Sequence, residues 1–218
     1  IVLLAGQPGI GKSTLLTQIT ATIGAKSEVL YVSGEESIQQ IKLRAERLGA
    51  ASSDKLQLAS SNSAEDIAAS IRTGKYDLVV VDSVQTLSLA EISSAPGSVS
   101  QITNASNVII RAAKATDTAV ILVGHVTKEG SIAGPKVLEH LVDVVLNFEG
   151  DRYGGFRVVR AQKNRYGSTS EAAIFEMSDK GLKIVDNPSA SLLAERQNLD
   201  GSIVMATLEG ARPLLVEI

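Results

Sequence analysis

The sequence predicts an α/β protein with a mainly parallel central sheet flanked by helices and antiparallel strands added at one edge. Three observations predict it. Between Ile1 and His125, short unbroken aliphatic runs alternate with longer segments of helical periodicity, the pattern of parallel strands joined by crossover helices. After Val144 the texture changes to strand-like runs separated by turns, as in antiparallel neighbours. The composition agrees, since 44% of the 218 residues are hydrophobic but only 3% are aromatic. The core must therefore be built from Val, Ile, Leu and Ala, the residues of strands buried on both faces.

The elements follow in order. Ile1 to Ala5 is an apolar run ending at Gly6, read as a buried strand. From Ser13 to about Ile23 the apolar positions Leu15, Leu16, Ile19 and Ile23 fall at helical spacing. Val29 to Val32 is the second strand. Ser33 or Ser37 can cap the next helix, which runs to Leu48 and stops at Gly49. Leu56 to Ala59 is a weaker strand, and Ile67 and Ile71 mark a helix ending near Gly74. Leu78 to Val81 is an unbroken apolar strand closed by Asp82. A polar, Ser-rich loop with Pro96-Gly97 separates Thr86 from Val99, and a helix runs from about Gln101 to Thr116. Ala119 to Val123 is a further buried strand, ending at Gly124-His125. The runs Val144–Phe148, Phe156–Gln162, Ala172–Phe175 and Leu182–Val185, with turns at Gly154-Gly155 and Lys180-Gly181, are expected as the antiparallel strands. No internal repeat is visible. Residues 1–187 read as one domain, 188–200 as a linker and 201–218 as the start of another unit, with Leu214 to Ile218 a strand that has no partner after it. The ends read as cuts in a longer chain.

The bulk numbers exclude several function classes. No cysteine is present, so disulfides and thiolate metal sites are ruled out in this segment, and two histidines argue against a His-rich metal site. No apolar run approaches the roughly 20 residues that span a bilayer, and no signal peptide is evident; a soluble, cytoplasmic protein without a membrane partner is expected. The net charge of −3 gives no global attraction to nucleic acid, so any DNA contact must come from a local basic patch.

The sharpest signal is Gly6-Gln7-Pro8-Gly9-Ile10-Gly11-Lys12-Ser13-Thr14. It matches the phosphate-loop pattern in full, between a strand and a helix as the mechanism requires. Glycines let the backbone curl so that successive N–H groups face phosphate oxygens, and the following helix adds the positive end of its dipole. Lys12 is expected to reach the β- and γ-phosphates and Ser13 to ligate magnesium, so a nucleoside triphosphate with Mg²⁺ is the expected ligand.

Magnesium needs a second anchor, and Asp82 closes the most apolar strand, where a Walker B carboxylate belongs. The alternative is an ordinary strand-ending Asp. Two strands lie in sequence between the loop strand and the Asp82 strand, which suggests that a strand is inserted between these two in space. Phosphate-loop proteins so arranged carry a glutamate that polarises the attacking water. Glu35 is the candidate base with Glu36 supporting, although both could merely favour the positive start of a helix. His125, at the end of the fifth strand beside Thr127 and Lys128, could sense the γ-phosphate or be a plain strand-end residue.

These residues in this order resemble the RecA-like ATPases, and most closely the RadA (Sms) family of bacterial DNA-repair proteins. The resemblance includes Leu30-Tyr31-Val32-Ser33-Gly34-Glu35-Glu36-Ser37, Val80-Val81-Asp82-Ser83-Val84-Gln85-Thr86 and Gly124-His125-Val126-Thr127-Lys128-Glu129-Gly130. It also includes Lys163-Asn164-Arg165-Tyr166-Gly167, which looks like the family signature Lys-Asn-Arg-Phe-Gly with Tyr166 for Phe. The resemblance implies a RecA-like fold for residues 1–187. It implies a ring-shaped, hexameric, DNA-dependent ATP hydrolase that loads on single-stranded DNA and drives branch migration of recombination intermediates. Branched DNA and the RecA recombinase are implied as partners. Family members carry a zinc finger before the ATPase, absent from this chain, and a Lon-protease-like domain after it, whose start residues 201–218 resemble.

Two further sets of residues follow from the resemblance. Lys163 and Arg165 would project into a neighbouring subunit's site and stabilise transition-state charge as an arginine finger does; read without it, they are solvated charges ending a strand. DNA would be met by loops at Leu87 to Ser100 and Lys128 to Lys136, through lysines and backbone N–H groups, since few aromatics are available for base stacking. A second reading is a RecA-fold ATPase of KaiC type, which also carries paired glutamates after the second strand and acts through protein partners without DNA. A third is a nucleotide-dependent interaction module without turnover.

Overall fold

The computed structural model describes residues 1–49, 53–126, 136–150, 155–190, 203–209 and 212–217. Among them, nine strands form one sheet. The strands β1 (Val2–Gly6), β2 (Val29–Ser33), β3 (Leu56–Ser60), β4 (Leu78–Asp82), β5 (Ala119–His125) and β6 (Val144–Gly150) are parallel. Three more, β7 (Arg157–Asn164), β8 (Ala172–Ser178) and β9 (Gly181–Ile184), are antiparallel additions at one edge. The spatial order is β3-β2-β4-β5-β1-β6-β7-β8-β9. The helices are α1 (Lys12–Gly24), α2 (Ile38–Arg47), α3 (Ala64–Arg72), α4 (Val99–Thr116) and the short α5 (Lys136–Glu139).

The expected inserted strand is β5, which lies between β1 and β4. One expectation needs correction. Val144–Phe148 falls in β6, which pairs parallel with β1 from Val2↔Val144 to Gly6↔Phe148. The chain between β5 and β6 returns to the end where β1 starts, so β6 enters in the same direction; a hairpin would have reversed it.

Each face of the sheet carries its own core. Ile67 and Ile71 of α3 and Ile102, Ala105 and Ile109 of α4 pack with Val79, Val81 and Leu122. Leu16 of α1 and Ile41 of α2 pack on the other face with Tyr31, Val80 and Phe148, joined by Phe175 and Leu182 from β8 and β9. Successive β4 residues point to opposite faces, and both sets are buried, so the sequence of β4 shows no polar alternation.

Serines open three helices. Ser37 caps α2 in a capping box with Gln40, and Ser63 and Ser98 accept from the third backbone N–H of α3 and α4. Ser33 serves elsewhere, as the site shows. The loop before α4 has a fixed shape. Gln101, 2% exposed, donates to the carbonyls of Leu89, Ile92 and Ser94 and accepts from Leu89 N. Near the chain's end, β10 (Val204–Glu209) and β11 (Arg212–Glu217) form an antiparallel pair, so the strand at Leu214 finds its partner in the residues before it. No helix of the described residues is long and apolar enough to cross a membrane.

Candidate active site

The carboxyl ends of β1, β2, β4 and β5 converge on one cleft of about 290 Å³. It is lined by Pro8, Gly9, Gly11, Lys12, Ser13 and Thr14 of the phosphate loop, by Ser33, Glu35 and Glu36 after β2, and by Asp82 and His125. Open parallel sheets bind ligands at this edge. Gly6 ends β1 where a Cβ would stand 2.5 Å from the Phe148 carbonyl oxygen on β6. Gly11 precedes α1 with φ 114°, a left-handed conformation that a side chain rarely adopts.

Lys12 is buried, 4% exposed. Its Nζ donates to the carbonyl oxygens of Gly6 at 2.8 Å and Gln7 at 2.9 Å, and stands 3.2 Å from His125 Nδ1. Burial lowers its pKa to about 8, against the opposing pull of Asp82 and Glu35. An ammonium can only donate, so His125 Nδ1 is the acceptor and Nε2 carries the hydrogen. That nitrogen lies 3.1 Å from Glu35 Oε1. One imidazole thus links the lysine of the phosphate loop to the candidate base.

Asp82 is also 4% exposed. Its Oδ2 accepts from Ser13 Oγ at 2.7 Å and from Tyr31 Oη at 2.7 Å. Burial, then the charge of Asp82, raises the Tyr31 phenol pKa well above its ordinary value. A hydroxyl and a carboxylate side by side are hard oxygen donors that suit Mg²⁺. Among the described residues no group of three or more His, Cys, Asp or Glu could hold a metal ion. The Asp82–Ser83 peptide is cis.

The two glutamates differ in their surroundings. Ser33 Oγ accepts from the backbone N–H groups of Glu35 and Glu36 at 3.2 and 2.9 Å and fixes the turn that carries them. Glu36 is clamped by Arg44 at 2.5–2.6 Å, and Arg44 Nε donates to Thr17 Oγ1 of α1 at 3.0 Å. Glu35 Oε1 accepts from Ser83 Oγ at 2.5 Å and faces His125, with the side chain 43% exposed. Glu35 is the carboxylate left open toward the cleft.

Lys163 and Arg165 do not join this cleft within the chain. Lys163 pairs with Val145, which pairs with Leu3 near the start of β1, whereas the phosphate loop leaves the end of β1. Lys163 Nζ donates to the carbonyls of Glu139 and Val142 at 2.6 and 2.7 Å. Arg165, with its side chain 51% exposed, pairs with Asp143 at 3.0 Å.

Of the two loops expected to meet DNA, Leu87 to Ser100 contains no Lys or Arg and one Glu, and Gln101 pins its shape. Residues 128–135 of the second, like Thr127, lie outside the described residues, as does Gly154 of the expected turn, and so does most of the 188–200 linker, from 191 onward. Tyr31, Ser83 and Arg44 were missed as site residues. Tyr31 carried a signal, because a tyrosine in an otherwise aliphatic buried strand needs a partner for its hydroxyl.

Residues 1–131 match the AAA domain family. The sequence is 49% identical to DNA repair protein RadA of Pseudomonas aeruginosa over 219 residues, covering all of this chain and 48% of that protein. It is 51% identical to DNA repair protein RadA of Bacillus subtilis over 220 residues, again covering all of this chain and 48% of that protein. The chain spans about half the length of the curated relatives it matches. Among solved structures it is similar to an ATPase domain with a TM-score of 0.71 and 15% identity, over 85% of this chain and 84% of that one. It is also similar to the KaiC-like protein PH0186 of Pyrococcus horikoshii, with a TM-score of 0.66 and 17% identity over 84% of this chain and 88% of that one. At such identities the two structures speak for the RecA-like fold alone.

Proposed function

The chain belongs to the AAA domain family and has a RecA-like ATPase fold, and on that premise we propose that it is the ATP-hydrolysing core of a DNA-repair motor. In this reading it binds single-stranded and branched DNA and uses turnover to drive branch migration of recombination intermediates. The observation that carries the catalytic half is the convergence of Lys12, Ser13, Asp82 and Glu35 on one cleft. The DNA half rests on similarity to DNA repair protein RadA along the whole chain. That similarity also disfavours the KaiC-type alternative, whose structural likeness is 17% identical.

The residues act as follows. Backbone N–H groups of Gly9 to Thr14 and the start of α1 bind the phosphates. Lys12 exchanges its bond to His125 for a phosphate oxygen. Ser13 and Asp82 would hold Mg²⁺, which neutralises phosphate charge when bound. Glu35 accepts a hydrogen bond from the attacking water and orients it, while Ser83 and His125 hold its carboxylate. Glu36, tied to Arg44, fixes the turn. Charge on the transferred phosphoryl group calls for a further cation, and Lys163 and Arg165 of an adjacent copy in a ring supply it. Arg165 is the more exposed of the two and would reach further across. Lysines in the 128–136 loop contact the DNA backbone without reading sequence.

The test is ATP turnover by the full-length protein with and without single-stranded DNA, beside Glu35→Gln. Stimulation by DNA in the wild type, lost in the variant while ATP still binds, is expected. Turnover that is indifferent to DNA would overturn the motor reading.

A further inference from the structure

The Tyr31 hydroxyl bonds the cleft residue Asp82, and the hydrolysis reading leaves it unused. Tyr31 lies on β2, in register with Val80 of the neighbouring β4, two residues before Asp82. Its ring is 1% exposed and packs with Leu16, Ile41, Val80 and Phe148. Its hydroxyl reaches past that apolar setting to Asp82 Oδ2 at 2.7 Å. The same oxygen accepts from Ser13 Oγ at 2.7 Å.

We propose that Tyr31 is a positioning residue for the magnesium site, fixing the Asp82 carboxylate so that its second oxygen stays turned to the cation. This rests on the reading of Ser13 and Asp82 as the cation's protein ligands. An ionised carboxylate has about four acceptor positions. Two of them, both on Oδ2, are filled by hydroxyls from different elements, the phosphate-loop helix and β2. Two hydrogen bonds from different elements on one oxygen hold a short side chain against rotation and leave the Oδ1 lone pairs for the metal or its water. The Ser13 hydroxyl belongs to the loop that would take the ligand. Tyr31 belongs to a buried strand and holds when the loop is empty. Outer partners of this kind orient a metal-binding carboxylate, and losing one costs about 10–100-fold in metal affinity.

Tyr31→Phe removes one oxygen and keeps the packing. In the full-length protein, Mn²⁺ binding in the presence of ADP is followed by electron paramagnetic resonance, beside wild type and Asp82→Asn. ADP affinity is measured in EDTA on the same samples. We expect the half-saturating Mn²⁺ concentration to rise about tenfold or more in Tyr31→Phe, with metal-free ADP affinity unchanged and turnover recovered at high Mg²⁺. A merely structural role would lower metal-free ADP binding alongside, and that outcome overturns the proposal. So does a Mn²⁺ affinity within twofold of wild type while Asp82→Asn loses it; the Asp82 reading then stands. If Asp82→Asn also keeps wild-type Mn²⁺ affinity, both fall together.

Discussion

Nucleotide affinity should fall steeply as pH rises above neutrality, because the lysine that must meet the phosphates is held in a buried cradle. Burial lowers the Lys12 pKa to about 8. A polyphosphate beside the ammonium restores it, so binding above pH 8 takes up a proton. For a free-state pKa of about 8, the charged fraction drops about 30-fold between pH 7 and pH 9.5, equivalent to about 2 kcal/mol of binding free energy. Phosphate ionisation is complete over most of this range and does not mask the trend. The assay is calorimetric titration with ADP in EDTA, in buffers of different ionisation enthalpy. Near pH 9 the uptake should approach one proton per nucleotide. Lys12→Arg, whose guanidinium stays charged, should bind with a flat profile. A flat profile in the wild type would refute the argument. Stability of the free protein should move the opposite way. From about 8 to the unperturbed 10.5 the unfolded chain keeps a proton that native Lys12 has lost, so stability rises with pH across that window.

The other predictions are these. Glu35→Gln should lower kcat about 100-fold or more with ATP binding kept, whereas Glu36→Gln should act mainly through thermal stability, since Arg44 then loses its carboxylate partner; equal kcat losses would sink the assignment. His125→Ala should lower kcat about tenfold, because a bond holding the Glu35 carboxylate is gone, and an unchanged kcat in single-turnover measurements would remove histidine from the mechanism. Arg165→Ala should be nearly inactive alone, yet regain turnover when mixed with inactive Glu35→Gln, since mixed rings contain intact composite sites; no gain on mixing refutes action across subunits. Gln101→Ala leaves loop polar groups without the bonds they make to its amide and should lower thermal stability by about 1–3 kcal/mol; an unchanged Tm would show that the loop holds itself.

What was legible in the sequence was whatever local chemistry dictates. The phosphate loop needs glycines at fixed positions and a strand and helix on either side, and Asp82 needs an apolar strand to end. Both are sequence-local, and both lie at the cleft. The choice between Ser33 and Ser37 as cap was not legible, because it depends on where the chain turns after β2. Ser37 found Gln40 three residues on, while Ser33 bonded the glutamate turn. The direction of β6 was hidden for a similar reason: an apolar run looks the same whether entered by a crossover or a hairpin. The separation of Glu35 from Glu36 depends on Arg44, eight residues after Glu36 and two helical turns away, a contact that no adjacent-residue pattern reveals. The nonlocal partners of the cleft, Tyr31 on Asp82 and His125 on Lys12, exist only because β2, β4, β5 and β1 are neighbours in the sheet.

On the proposed reading, the same sheet explains why one chain would hold only part of a hydrolysis site. In a parallel sheet all carboxyl ends share an edge, so the loop after β1, the glutamates after β2, Asp82 and His125 meet without long connections. The antiparallel β7 runs the other way. Its end, with Lys163 and Arg165, emerges where the parallel strands begin, about 10–16 Å of strand from the phosphate loop. Arg165 therefore cannot serve the phosphates its own chain binds unless the sheet is broken. It can serve those of a neighbour stacked with its loop edge toward this opposite edge. Such a head-to-tail contact repeats and closes into a ring when the rotation allows. On the proposed reading, the topology that gathers the cleft residues exports the remaining cation, and hydrolysis in each site would depend on how the next copy sits.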